Sequence, residues 1–460
     1  MNPFMGLWRK ELLRRAYNNG DDSRVDRLSR TLLNHPKHAP FARDVLIRSM
    51  WRRRRWEDVV DLCRRWPESD VHALAGRAGQ HLERRHPPKK TYPSERPPEG
   101  LGHVDWNATD LHRMWHQVEQ KLWFRHPWGW CHWDMPAGWS LDSTHPALIE
   151  LAADVLLRPW VKEVMAPLTT GREKGSRLGL AWSCGVDSTA AMLLLNDETV
   201  LAYHERDVQS MLDHRNAKHL IKKVQSLGRD VLVVRSDHEL IRTNHGKMIG
   251  FSTDYASGVH LILLADWLDL AGIAFGVPID NTWLHKGRTF RDFSQSAHWI
   301  AWQARFHEAG LDLVLPINHI SEAGALRIVQ ASALASDVNS CMRGDGLGGC
   351  GRCWKCFHKN GPMGRPYDVS SHEISTFLSQ RPLRTAQHAL WALKHLGLED
   401  LVPDLQPLLK EDLGWWESAF EPGLELIPNP WRAEVESRTR ELLEVKGVES
   451  PLVKVNLFAD

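Results

Sequence analysis

The residues that could do chemistry in this chain fall into two constellations. The first is Ser183-Cys184-Gly185-Val186-Asp187-Ser188-Thr189, which joins a short apolar run to a segment of helical pattern. Gly185 lets a ligand approach the main chain closely. The N-terminus of the following helix presents unpaired N–H groups and partial positive charge to an anion. The hydroxyls of Ser183, Ser188 and Thr189 add donors, so a polyphosphate can be held there with little need for lysine. Asp187 is placed to receive Mg²⁺ or to orient the loop. The plain alternative is a helix N-cap, a role Asp and Ser fill routinely. A second turn, Gly276 to Asn281, follows a later apolar run. In an open α/β sheet ligands sit outside the carboxyl ends of the strands, which would turn Asp280 toward the same crevice as Asp187. Two such carboxylates would suit Mg²⁺ beside a triphosphate.

The second constellation is Cys341-x8-Cys350-x2-Cys353-x2-Cys356, set among Gly348, Gly349 and Gly351. Four thiolates close a tetrahedral shell, so a structural Zn²⁺ is the simplest occupant, with His358 as a reserve ligand. An iron–sulfur cluster is the rival, because closely spaced Cys-x2-Cys runs also bind clusters. The remaining cysteines are Cys63, Cys131 and Cys184. Seven thiols, four of them within sixteen residues, do not make a disulfide framework.

These residues need elements to position them. From Arg177 onward, apolar runs at 177–183, 199–204, 230–235, 273–277 and 311–315 alternate with helical patterns at 187–195, 208–227, 256–270, 293–309 and 322–335. That alternation predicts an α/β layer with a parallel sheet and helices on both faces. Residues 1–85 read as helices ending before Pro36 and Pro67, with a faint repeat that resembles tetratricopeptide modules. A Pro-rich linker at 86–98 follows, then a Trp-rich segment over 99–176 expected to pack on the core. Residues 177–340 form the α/β domain, 341–366 the metal segment and 367–460 a helical C-terminal extension. With 58 basic and 57 acidic residues the net charge is +1, which argues against bulk nucleic-acid binding without excluding a local patch. The run Arg52-Arg53-Arg54-Arg55 reads as a solvated helix face rather than a phosphate contact. The N-terminus lacks a signal-peptide core, and 260–279 is too interrupted to span a bilayer. A soluble, cytoplasmic protein is expected. Trp is over-used, at 22 residues against 12 Phe and 5 Tyr.

S-x-G-x-D-S at the first strand–helix turn resembles the PP-loop of the N-type ATP pyrophosphatases. Neither a Walker A motif nor G-x-G-x-x-G stands at this turn. The resemblance implies an adenine-nucleotide α-hydrolase-like fold. It implies cleavage of ATP between the α- and β-phosphates, transfer of AMP to a carbonyl oxygen, and displacement by a nitrogen or sulfur nucleophile. It carries ATP binding onto Ser183, Cys184, Gly185, Val186, Asp187, Ser188, Thr189, Gly276 and Asp280, and catalysis onto Asp187 and Ser188. The commonest form of the loop has Gly where this chain has Cys184, a substitution the family tolerates.

The loop, then ADWLDLAGIAFGVPID, LDLVLPI and SCMRGDGLGGCGRCWKC in that order, is similar to 7-cyano-7-deazaguanine synthase over about residues 177–360. That family holds zinc on the matching cysteines and converts a deazaguanine carboxylate to a nitrile with ATP and ammonia. The chain departs from it at His319-Ile320-Ser321-Glu322, where the synthases carry a lysine, and in its long flanking segments. The expectation is therefore an adenylate-forming ligase using ATP, Mg²⁺ and Zn²⁺ on a carboxylate substrate, altered or macromolecular. The histidines at 204, 245, 260, 285 and 319 offer no choice of proton acceptor. A sulfurtransferase acting on a nucleobase or tRNA is the alternative. A nucleotide-holding scaffold that binds a protein through residues 1–95 is another.

Overall fold

The computed structural model describes residues 3–83, 95–207, 213–245, 247, 249–343 and 348–458. The Pro-rich residues 86–94, the first turn of the helix expected over 208–227 and residues 344–347 of the metal segment lie outside the described residues.

Eight strands build the main sheet: β1 (Trp115–Val118), β2 (Lys121–His126), β3 (Gly129–Asp134), β4 (Arg177–Ala181), β5 (Val200–Arg206), β6 (Val231–Ser236), β7 (Leu270–Phe275) and β8 (Asp312–Val314). Their order is β1-β2-β3-β6-β5-β4-β7-β8. The five strands from β6 to β8 are mutually parallel. Every residue of β7 is buried, which its unbroken apolar sequence LAGIAF requires of a strand covered on both faces.

Helices cover both faces, and the register shows it. Gly179 of β4 stands beside Ile273 of β7, and Leu178 beside Gly272, so Gly179 and Gly272 face opposite ways. Gly179 meets Leu261 of the helix Val259–Leu263, whereas Gly272 meets the ring of Trp431 in the helix Asn429–Leu442. Arg438 of that C-terminal helix bonds the carbonyls of Leu193 and Leu195, tying it to the helix Val186–Leu194 on the same face. The expected helix over 256–270 is shorter, ending at Leu263. Beyond it, Asp269 adopts a left-handed φ of 55° and its carbonyl accepts the N–H groups of Ser176 and Arg177, while Asp266 accepts from His145.

The Trp-rich segment packs on the core through the strands β1 to β3 and the buried helix Pro146–Leu157. β1 to β3 form an antiparallel meander joined to β6 through the pair Trp133 and Ser236. Trp115, Trp123, Trp133 and Trp139 are buried there, and Trp139 Nε1 donates to the Leu263 carbonyl at 3.0 Å.

Five helices fill residues 3–83, two of them ending at Leu33 and Arg65, before Pro36 and Pro67. They carry two small apolar clusters of their own, separate from the single large cluster that runs from Met114 to Val455. The C-terminal segment is thus part of the main core. The helix Leu74–Glu83 docks on His372–Ser379, where Gly76 and Gly79 lie against Glu373 and His372. The arginine run is no helix face. Arg52 and Arg53 engage Asp22 and Asp26 across helices, Arg54 turns the chain at φ 59°, and Arg55 holds Asp58. Among the described residues, no helix is long and apolar enough to cross a membrane.

Candidate functional site

β4 is the hinge of the topology. The chain leaves it for β5 on one side and later returns to β7 on the other, so the carboxyl ends of β4 and β7 border a switch-point crevice. The loop 182–185 and the helix Val186–Leu194 follow β4, and Gly276–Asn281 follows β7. The two turns touch: a Cβ on Gly276 would stand 2.7 Å from Ser188 Cα and 2.8 Å from its nitrogen. Only glycine fits at that approach.

Within the loop, Ser188 Oγ accepts the Ser183 N–H at 3.1 Å, lies 3.0 Å from Ser183 Oγ and donates to the Gly185 carbonyl at 3.2 Å. Ser340, from the segment ahead of the cysteines, accepts the Val186 N–H at 3.0 Å. Cys184 adopts φ 60°, a left-handed backbone conformation that favours glycine. Its thiol is 2 % exposed, joins the core and is pushed well above the ordinary range by burial. The side chains of Val186 and Thr189 are likewise buried, with Thr189 Oγ1 bonded to Trp182 Nε1.

A cavity of about 310 Å³ opens over the loop, lined by Ser183, Gly185, Asp187 and Ser188 together with Arg206, Lys355 and Lys359. It adjoins a second of about 800 Å³ that shares Asp187, Phe251, Asp254, Gly276 and Val277. The three cations were not legible at the loop itself. Lys359 forms an ion pair with Asp187 and stands 3.4 Å from Glu322 Oε2. Burial works against its charge, but the two carboxylates more than offset that and its pKa is raised. Lys355, though an exposed residue, lines the same cavity. The lysine that the resemblance places after the fifth strand is absent there. The cation beside Asp187 comes instead from the metal segment, where Lys355 and Lys359 sit four residues apart in KCFHK.

Asp280 lies elsewhere than expected. It is 3 % exposed, lines neither cavity, and its Oδ2 accepts the Glu322 N–H at 2.9 Å beside Ser321, the N-cap of the helix Glu322–Gln330, although its charge still reaches Lys359 and Asp187. Burial and the neighbouring Glu322 raise its pKa. Burial works against the charge of Glu322, but Lys359 and the His358 ring outweigh it and hold the carboxyl well below the ordinary range. His358 turns toward Glu322, 3.3 Å away, and so is not a reserve ligand for the cysteines. Of the candidate histidines, His204 lines the smaller cavity, His245 packs between Trp128 and Trp160, and His260 and His319 are fully buried.

The four Sγ atoms of Cys341, Cys350, Cys353 and Cys356 lie within 4.8 Å of one another. The closest Sγ pairs are separated by 3.6 Å (353–356), 3.7 Å (341–353) and 3.9 Å (350–356). A zinc tetrahedron with bonds of about 2.3 Å has edges of about 3.8 Å, so the group is arranged to hold a metal such as zinc. N–H groups of Arg343 and Cys350 point at Cys341 Sγ, and that of Arg352 at Cys350 Sγ. Asn216, on the helix Arg215–Ser226, ties the segment to the core through the carbonyls of Cys341 and Gly348 and the Gly348 N–H.

A model of a family of unknown function, DUF6395, matches residues 301–447, a stretch that holds the four cysteines, both lysines and Glu322 but not the loop. No curated protein and no solved structure matches the chain.

Proposed function

We propose that this chain is an ATP-dependent, adenylate-forming ligase of the PP-loop type, releasing AMP and pyrophosphate. The observation that carries the reading is the loop 183–188 at the switch point, closed over by Gly276 and faced by Lys355, Lys359 and Arg206. N–H groups at the start of the helix and the hydroxyls of Ser183 and Ser188 would take the β- and γ-phosphates. The three cations would stabilise the charge that develops on departing pyrophosphate. Asp187, whose buried Oδ1 has no partner among the described residues, would hold Mg²⁺, which supplies neutralisation of the triphosphate when bound. The larger cavity would orient a substrate carboxylate for attack on the α-phosphorus, giving an acyl-adenylate that ammonia or an amine then resolves. The zinc expected on the cysteines would serve to hold the segment carrying both lysines.

The sulfur-transfer alternative lacks a carrier. A persulfide needs an accessible, low-pKa thiol. Cys63, Cys131 and Cys184 are all buried, with burial pushing Cys63 up to about 12 and the other two well above the ordinary value.

Incubation with α-labelled ATP and Mg²⁺ tests the proposal. AMP and pyrophosphate are expected, with ATP–pyrophosphate exchange dependent on one of a deazaguanine carboxylate, tRNA or a peptide carboxylate. ADP, or no product, would overturn it.

A further inference from the structure

The antiparallel meander meets the parallel strands where Trp133 of β3 pairs with Ser236 of β6. Beside that seam lies a second group of side chains able to hold a metal, Glu95, His132 and Asp207, whose ligand atoms lie within 4.8 Å of one another. His132 stands on β3, Asp207 directly after β5 and Asp237 directly after β6, and the sheet order β3-β6-β5 gathers them.

His132 is fully buried, with the Trp123 ring 4.9 Å away. Asp237, 1 % exposed, fixes it in place. Its Oδ1 accepts the His132 main-chain N–H at 2.8 Å and stands 3.2 Å from ring Nδ1. A carboxylate behind Nδ1 keeps the proton there and leaves the Nε2 lone pair for a metal, the usual setting of a metal-ligating imidazole. Nε2 faces Asp207 Oδ2 at 3.5 Å, and neither of these buried atoms has a hydrogen-bond partner among the described residues. A charge-assisted hydrogen bond would close to about 2.7–2.9 Å. Two ligands of one tetrahedral Zn²⁺, with bonds of about 2.0–2.2 Å, stand about 3.3–3.6 Å apart instead. Arg235 occupies the other oxygen of Asp207 at 2.6 Å and so holds Oδ2 toward the ring.

The charges leave room for a cation. Lys121 holds Glu95 at 3.0 Å and Asp134 at 2.6 Å, and Arg235 holds Asp207. With Asp237 the group has four carboxylates against two cations, and a divalent ion beside a neutral imidazole offsets the difference.

We infer that Glu95, His132 and Asp207 form a second metal site, separate from the four cysteines and from the loop, for a divalent transition ion such as Zn²⁺. An imidazole nitrogen with carboxylate oxygens suits such an ion better than Mg²⁺ or Ca²⁺, which take oxygen ligands. Three protein ligands leave one position for water. The ion joins β3, the end of β5 and the chain entering the Trp-rich segment. The inference does not depend on the ligase reading.

Co²⁺ titration of the full chain, its cysteines first filled with Zn²⁺, tests the site. One further equivalent of Co²⁺ should bind, with d–d absorption but without the thiolate-to-cobalt charge-transfer band of a cysteine site. Asp207→Asn or His132→Asn should abolish that equivalent. Glu95→Gln, at a half-exposed residue, leaves the fold intact and should weaken binding on the order of tenfold or more. Each variant should retain its cysteine-bound Zn²⁺, read by elemental analysis. No further equivalent in the unaltered chain would mean that a proton bridges His132 to the carboxylates, and overturns the inference. A further equivalent that carries the thiolate band, or whose affinity survives both Glu95→Gln and Asp207→Asn, overturns it as well.

Discussion

Lys359 and Asp187 stand 172 residues apart in sequence and in contact in the fold, and their pairing sets what the loop can do. Removing the ammonium leaves Asp187 and Glu322 facing each other's charge in a buried site. Lys359→Met is therefore expected to lower ATP–pyrophosphate exchange by about 10²–10³-fold, the scale of a lost transition-state donor. It should also reduce stability by about 3–5 kcal/mol, the cost of breaking a buried pair, which urea unfolding will read. Gly276→Ala tests the close approach of the two turns independently of charge. Its Cβ has 2.7 Å to Ser188 Cα, so the loop must shift. A stability loss of about 1–3 kcal/mol is expected from overpacking, with ATP affinity falling while metal content stays at the native level.

The cysteine segment is fastened to the sheet layer at several points, among them Lys359 on Asp187 and Asn216 at the metal loop. Asn216 bonds both flanks of the metal loop, so it orients the ligands without touching the metal position. Asn216→Ala should weaken zinc binding by about 10–100-fold, the usual effect of losing a residue that orients ligands, measured by competition with a chromogenic chelator. Stripping the metal altogether should lower ATP affinity in parallel, because Lys355 and Lys359 lie between and just beyond the last two cysteines. Retained ATP affinity in metal-free protein would separate the two sites. The order of elements from Arg177 onward was legible because apolar runs and helical periods alternate, although the helices expected over 256–270 and 322–335 end earlier, at Leu263 and Gln330. The strands β1 to β3 were not, since their Trp and His content carries no clean alternation and their stability comes from pairing with β6.

Across the whole molecule, buried imidazoles set the pH response. Burial lowers the pKa of His126, His238 and His319 to about 3 and of His260 to about 4, against an ordinary value of 6.5. The unfolded chain takes up protons that the folded chain refuses, so this contribution to stability is fully present above pH 6.5. It falls as pH drops from 6.5 toward 3–4, by up to about 1.4 kcal/mol per pH unit for each histidine. Urea midpoints followed by tryptophan fluorescence should be flat between pH 7 and 8 and decline steadily below about 6.5. A midpoint that rises on acidification would contradict the burial of these rings.

The sequence by itself determined the α/β alternation, the loop 183–189, the four-thiol group and the helical N-terminus. Each is encoded locally, by period, by turn chemistry or by ligand spacing. Only the tertiary structure decided which charges face the loop. It withdrew Asp280 from the cavity lining, turned His358 toward Glu322, buried Cys184 in the core, and brought in Lys355, Lys359 and Arg206. Side chains from distant segments converge through packing and sheet order, which no spacing along the chain records.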